Sequence, residues 1–318
     1  MDKVVMYDPG VGSFNRGDQI ISDAVHYGLK EFLSDKYVTE ISSHTPLNRT
    51  YVSFLKDYDY KFICGSNLLM GKMNGRFRQW DISRMSLPAV QDCILVAVGW
   101  WQPNDEPNVY TKNLYNKILN KKFMHSVRDE YTKAMLNSIG IDNVINTGCA
   151  TMWRFTPEFC REVPTQKADS AVFTLTDYNK NPEKDKDLIE ILLKNYSKVY
   201  YWPQGIGDFD YLVSLGYIDK VSVLGNTLSE YDQFLASVDC DYIGTRLHGG
   251  IRALQNKRRS IILAVDNRAR EKKKDFDIPC VERSEIESVD GMISSGFETS
   301  IKIPLDRINE WKSQFKGK

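Results

Sequence analysis

Residues 244–250, Gly-Thr-Arg-Leu-His-Gly-Gly, place Arg246 and His248 two positions apart, where an apolar strand pattern (241–245) runs into a helical one. The exposed N–H groups and dipole of a helix start favour an anion, and a guanidinium fork can hold a carboxylate or phosphate at two points. Leu247 lies between the two polar residues on the same turn. Histidine titrates near neutrality, so at such a turn it is suited to moving a proton at the bound anion. Gly249 and Gly250 each cost about 1 kcal/mol in a helix relative to alanine, which implies that something approaches the backbone closely. The competing reading is an ordinary one, with Arg246 in a surface ion pair and His248 a packing residue.

Three further strand-to-helix turns carry residues of the same kind. In the first, residues 125–132, Arg128 projects from a strand end and Asp129 caps the next helix, while His125 reads as a core or edge histidine. In the second, residues 12–18, Asn15, Gly17 and Asp18 have turn and cap chemistry, so catalysis and an N-cap are both open for Asp18. The glycines at 10, 12 and 17 do not match the GxGxxG of a dinucleotide site. In the third group, Gln204 could bind a sugar or phosphate oxygen, and Arg268 could add positive charge close to a strand end. The run 271–275 reads as a solvated face. Trp100 and Trp101 sit at another strand end, where they could stack on a sugar or pack as core and rim.

Positioning such turns requires strands that alternate with helices, and the pattern is present almost throughout. Strands are expected at 3–8, 60–66, 92–100, 121–129 and 143–150, with helices over 18–33, 83–91, 108–119 and 129–139. A polar stretch at 161–170 interrupts, and strands at 171–177, 199–204, 221–225, 241–245, 260–265 and 278–282 resume the alternation. Helices are expected over 185–195, 209–215, 227–237 and 246 to about 256. The fold class is therefore α/β, with two Rossmann-like doubly wound domains facing a cleft. The division is placed at 1–165 and 166–318, the second domain carrying a closing helix at 305–315. In such folds ligands sit beyond the carboxyl ends of the strands, where the four turns lie.

The bulk numbers agree. The 318 residues exceed the ~250–300 at which one core tends to split. Lys plus Arg and Asp plus Glu are both 42, so no net charge draws the chain to nucleic acid, and any anion site is local. The six cysteines, Cys64, Cys93, Cys149, Cys160, Cys240 and Cys280, lack CxxC spacing and read as reduced and buried. No metal is expected, because no His, Cys, Asp and Glu cluster has metal-ligand spacing. The N-terminus lacks a signal-peptide h-region and no run is long enough to span a bilayer, so a cytoplasmic protein is expected. The oligomeric state is left open.

Taken in order, Asn15-Arg16-Gly17-Asp18, Ser126-Val127-Arg128-Asp129, Pro203-Gln204 and Gly244-Thr245-Arg246-Leu247-His248-Gly249 resemble the polysaccharide pyruvyl transferase family across most of the chain. The resemblance implies a GT-B-like fold and transfer of a pyruvyl group from phosphoenolpyruvate to two hydroxyls of a sugar, as a ketal. It implies further that Arg128 and Arg246 clamp the donor, with Leu247 and Arg268 beside it. His248 would act as acid/base and Asp18 would lie near the acceptor. Phosphoenolpyruvate would be a substrate, with no cofactor required. The second domain would take the donor and the first the glycan acceptor, which a lipid carrier could hold at the inner membrane face. Two rival readings remain: a GT-B glycosyltransferase using a nucleotide sugar, and a non-catalytic glycan-binding protein.

Overall fold

The computed structural model describes residues 1–317. They divide into two compact units, one comprising Met1–Ser13, Ile21–Trp153 and Pro304–Lys318, the other Phe14–Ile20 and Arg154–Ile303.

The first unit is built on β1 (Lys3–Asp8), β2 (Tyr37–Ser42), β3 (Tyr60–Cys64), β4 (Ile94–Val96), β5 (His125–Val127) and β6 (Val144–Asn146). Parallel pairing gives one sheet in the order β2-β1-β3-β4 and a second pair, β5-β6. β1 is buried on both faces, from Val4 to Tyr7, as expected of a central parallel strand. Between β4 and β5 only the bridge Val98↔Val127 forms, and side chains complete the junction. His125 Nδ1 accepts from the Leu95 N–H at 3.2 Å, and the Ser126 hydroxyl accepts from the Ala97 N–H at 2.9 Å. His125 Nε2 is 2.9 Å from the Asn120 carbonyl. Burial pushes this imidazole down to about 4, so it is neutral, one nitrogen accepting and the other donating. The core reading of His125 holds.

The second unit carries β7 (Ser170–Thr174), β8 (Lys198–Tyr201), β9 (Ser222–Val223), β10 (Cys240–Gly244), β11 (Ser260–Ala264) and β12 (Cys280–Glu282). All pair in parallel, in the order β12-β11-β10-β7-β8-β9. Chain order runs outward in one direction from β7 and in the other from β10, so the topological switch point lies between these two strands. Ligands of open α/β sheets bind at such a point. From β10 the helix Leu247–Gln255 returns over the sheet. A Cβ at Gly250 would lie 2.6 Å from Ile262 Cγ1 and 2.7 Å from Tyr242 Cε1, and one at Gly249 would lie 3.1 Å from Gln204 Oε1. The close approach implied by the glycine pair is therefore internal, helix against sheet, and does not need a ligand.

Both limits of the expected second domain move. The helix Pro157–Arg161 and the polar stretch after it belong to the second unit. They are held there by a Lys257–Glu162 ion pair and by the Phe297 N–H donating to the Thr165 carbonyl at 3.1 Å. The closing helix, Leu305–Ser313, belongs instead to the first unit. Trp311 Nε1 and Gln314 Nε2 donate to the Met124 carbonyl at 2.8 and 3.1 Å, and Phe315 packs on Phe32, Phe62 and Phe123. Residues 267–276, part of which was read as a solvated charged face, form the helix Asn267–Phe276. Its Lys272 is buried, with Nζ over the Phe276 ring. All six cysteines are buried, and none of them forms a disulfide.

Candidate functional site

In the second unit, Asn15, Tyr178, Gln204, Thr245, Arg246, Leu247, His248, Asp266, Arg268 and Ala269 line one pocket. It lies beyond the carboxyl ends of β7, β8, β10 and β11, across the switch point. Six residues expected from sequence, Gln204, Arg246, Leu247, His248, Arg268 and, from the N-terminal segment, Asn15, thus meet in one place.

Asn15 reaches this site through backbone pairing. It bridges Gly205 in antiparallel fashion, and the Arg16 N–H donates to the Gln204 carbonyl at 3.0 Å. The Asn15 Oδ1 accepts from the Gly17 N–H at 3.0 Å and from Gln204 Nε2 at 2.9 Å. The helix Arg16–Leu33 therefore starts two residues earlier than expected, capped by Asn15 rather than Asp18. Gly17 is buried, with Gln204 Nε2 and the Asn15 amide where a Cβ would need room. Asp18 occupies the first helical turn, and its charge contributes to holding Arg268 protonated. Gln204 is 3% exposed and its Oε1 has no hydrogen-bond partner among the described residues.

Arg246 is not a surface ion pair: it is 4% exposed. Its Nε donates to the Leu175 carbonyl at 3.1 Å and to Asp208 Oδ2 at 2.9 Å, and its Nη2 contacts Asp208 Oδ1 and donates to Asp177 Oδ1 at 2.7 Å. Burial alone would lower its pKa, but the Asp208 hydrogen bond and the charges of Asp208 and Asp177 outweigh this and raise it. The Nη1 edge is the part of the fork that these carboxylates leave open. Tyr178 lies between two cations, its ring centroid 4.9 Å from Arg246 Cζ and 5.5 Å from Arg268 Cζ. Its hydroxyl donates to Asp266 Oδ2 at 3.0 Å and accepts from Arg268 Nη2. Arg268 pairs with Asp266 at 2.6 Å. His248 is half-buried and makes no hydrogen bond or ion pair to another described residue, so its nitrogens are open to a ligand.

Asp177, Tyr178, Asp208 and Asp266 were not expected from the sequence. Each lies shortly after a strand end, and that position was their only signal, because Asp and Tyr in a loop have many other uses.

Arg128 belongs to the first unit. Its Nε is 3.1 Å from Asp129 Oδ2, and a Cβ at Gly99 would lie 2.4 Å from both Arg128 Nε and Asn67 Oδ1. Asp129 caps the helix Glu130–Ser138 by accepting from the Thr132 N–H at 2.7 Å, as expected. Trp100 is 3% exposed, donates from Nε1 to the Asp105 carbonyl at 2.8 Å and meets Tyr115 edge-on, so it is core and offers no face to a sugar. Trp101 packs against the exposed Phe77 at the rim.

The first unit also joins three groups that sequence spacing kept apart. Asp8, His26 and Glu40 bring their ligand atoms within 4.8 Å of one another. His26 Nε2 is 3.6 Å from Asp8 Oδ2 and 3.4 Å from Glu40 Oε1. An imidazolium between two carboxylates accounts for this arrangement. Burial alone would depress His26, but the Asp8 hydrogen bond and the charges of Glu40, Asp8 and Asp23 raise it above the ordinary 6.5. A folded-state pKa above the unfolded one gives stability that is fully present below about pH 6.5 and is lost as pH rises through the folded value. His26→Gln is accordingly expected to cost more stability at about pH 5.5 than at about pH 9, measured by urea denaturation. Equal costs at the two pH values would remove the charge from the account.

The family model described as polysaccharide pyruvyl transferase matches residues 15–267, which take in Asn15, Gly17, Asp18, Arg128, Gln204, Arg246 and His248 and stop one residue short of Arg268. No curated protein matches the sequence. Among solved structures, the UDP-GlcNAc 2-epimerase of Methanocaldococcus jannaschii, in complex with UDP-GlcNAc and UDP, aligns over 100% of both chains at 11% identity with a TM-score of 0.54. LpCGTa in complex with UDP aligns over 99% of this chain and 93% of its own, at 12% identity and a TM-score of 0.36. The epimerase likeness is one of fold, and it bears out the GT-B-like α/β class.

Proposed function

We propose, since the chain belongs to the polysaccharide pyruvyl transferase family, that it moves the pyruvyl group of phosphoenolpyruvate onto two hydroxyls of a glycan acceptor, forming a ketal and releasing phosphate. The observation that carries the reading is the pocket in which Arg246, Arg268 and an uncommitted His248 converge at the switch point of the second sheet. Each guanidinium already faces a carboxylate of the protein, and what arginine offers an anionic donor here is planar two-point recognition of carboxylate or phosphate.

The chemistry assigns roles to these groups. Proton transfer to the methylene carbon makes the adjacent carbon electrophilic, and His248 in its imidazolium form is the donor of that proton. The oxygen of one sugar hydroxyl then bonds to this carbon and gives up its proton. Phosphate leaves with the bridging oxygen and its bonding electrons, and the oxygen of a second hydroxyl bonds to the same carbon and closes the ketal, its proton passing to the departing phosphate. Arg246 and Arg268 stabilise the charge that gathers on the departing phosphate. Asp18, in the helix turn beside Arg268, is the base available to an acceptor hydroxyl. A lipid-linked acceptor would be met at a membrane surface, and no helix among the described residues is long and apolar enough to cross one.

Phosphoenolpyruvate is expected to raise the melting temperature of the purified protein, because a ligand that binds the folded state alone stabilises it by mass action. UDP-, GDP- and CMP-sugars are expected to leave it unchanged. A shift with a nucleotide sugar and none with phosphoenolpyruvate would move the assignment to a glycosyltransferase.

A further inference from the structure

Arg246 faces two carboxylates that are held in different ways. Asp208 is fixed: it is fully buried, contacts both Nε and Nη2, and accepts the Gly205 N–H at 2.7 Å and the Asp177 N–H at 3.1 Å. Asp177 touches the guanidinium once, at Nη2, and its side chain is 25% exposed. It sits in the turn just after β7, next to Tyr178. One cation against two anions leaves an excess negative charge where the proposed donor is itself anionic. The second cation does not correct this, because Arg268 is already paired with Asp266 and lies within the field of Asp18.

We propose that Asp177 is an internal stand-in for the ligand's anionic group. Its carboxylate occupies Arg246 Nη2, and the carboxylate or phosphate of the incoming ligand replaces it. The inference rests on the anionic donor of the proposed function and deepens it. Asp208 remains as the permanent counter-ion that orients the fork, while Asp177 swings out into solvent, which its partial exposure permits. The apparent affinity of a site whose competent form is only partly populated is reduced by that fraction. Asp177 thus lowers affinity and keeps weakly held anions out.

The sign of one substitution decides the matter. A residue that merely positions Arg246 would weaken anion binding when altered, whereas a stand-in strengthens it. Asp177→Asn keeps the shape and removes the charge, and Asp177→Ala removes the side chain. Binding of phosphoenolpyruvate and of inorganic phosphate is measured by calorimetry on the parent and both variants, with a thermal melt to check the fold. We expect both variants to bind phosphoenolpyruvate more tightly, on the order of tenfold, as competition and like-charge repulsion are lifted. If the parent binds phosphoenolpyruvate and the folded variants bind it equally or less well, the stand-in is overturned and the proposed function stands. If none binds phosphoenolpyruvate but the variants hold inorganic phosphate more tightly than the parent, the stand-in stands and the donor assignment falls. Binding of neither anion by any of the three proteins overturns both.

Discussion

Arg246→Met is expected to destabilise the second unit by about 3–5 kcal/mol, the cost of leaving a buried carboxylate without its partner. Asp208 is fully buried and directs both carboxylate oxygens at Arg246, and the Gly205 and Asp177 N–H groups alone cannot replace a cation. Asp177, being part-exposed, can turn to water, so most of the loss comes from Asp208. Adding Asp208→Asn to the methionine variant is expected to return part of the stability, since the unpaired charge is then gone. Arg246→Lys keeps a positive charge but not the planar fork, so it is expected to stay folded with weakened donor binding. Urea denaturation of the four proteins measures this series. A loss below about 1 kcal/mol in Arg246→Met would mean that the pair is solvent-screened and the burial argument fails.

His248→Gln is expected to behave in the opposite way, leaving stability within about 0.5 kcal/mol and lowering turnover by ~10²- to 10⁴-fold, the usual contribution of general acid/base catalysis. His248 lines the pocket two residues after Arg246, yet makes no hydrogen bond or ion pair to another described residue. Its removal therefore breaks no internal contact, and what is lost is proton transfer. Donor affinity is expected to change little, because the guanidinium groups hold the charge. Steady-state kinetics with a circular dichroism check of the variant separate the two effects. A folded variant with the parental rate would remove His248 from the mechanism and pass its role to the Asp18 turn.

The contrast between these residues shows what could be read from the chain. That Arg246 and His248 share a helix start at a strand end was legible, because the apolar run of β10 and the helical pattern after it are local signals. That Arg246 is buried against Asp208 was not, since their partnership depends on β8 and β10 lying either side of β7, which spacing along the chain does not reveal. Local capping was read in part: Asp129 caps its helix, but of the two roles open for Asp18 the cap is filled by Asn15, whose pairing with Gly205 is a long-range contact. β2 was missed, because at a sheet edge its residues are only half-buried and show no apolar run. The helix Asn267–Phe276 was hidden by its charges, although Ala269, Lys272 and Phe276 form its buried stripe at helical spacing. Trp100 was ambiguous because adjacent tryptophans at a strand end point to opposite sides, and only packing decides which one is core. The displaced closing helix follows the same logic, as its partners Met124 and Phe32 lie far back in the sequence.

Incubation of the protein with phosphoenolpyruvate and a panel of lipid-linked or model galactosides, mannosides and N-acetylmannosaminides tests the central claim most directly, with phosphate release and product mass read together. The account predicts that at least one acceptor gives phosphate in step with a product whose mass is that of acceptor plus phosphoenolpyruvate less phosphoric acid. Absence of phosphate and of this product across the panel, with glycosylated product appearing when a nucleotide sugar replaces phosphoenolpyruvate, would contradict it.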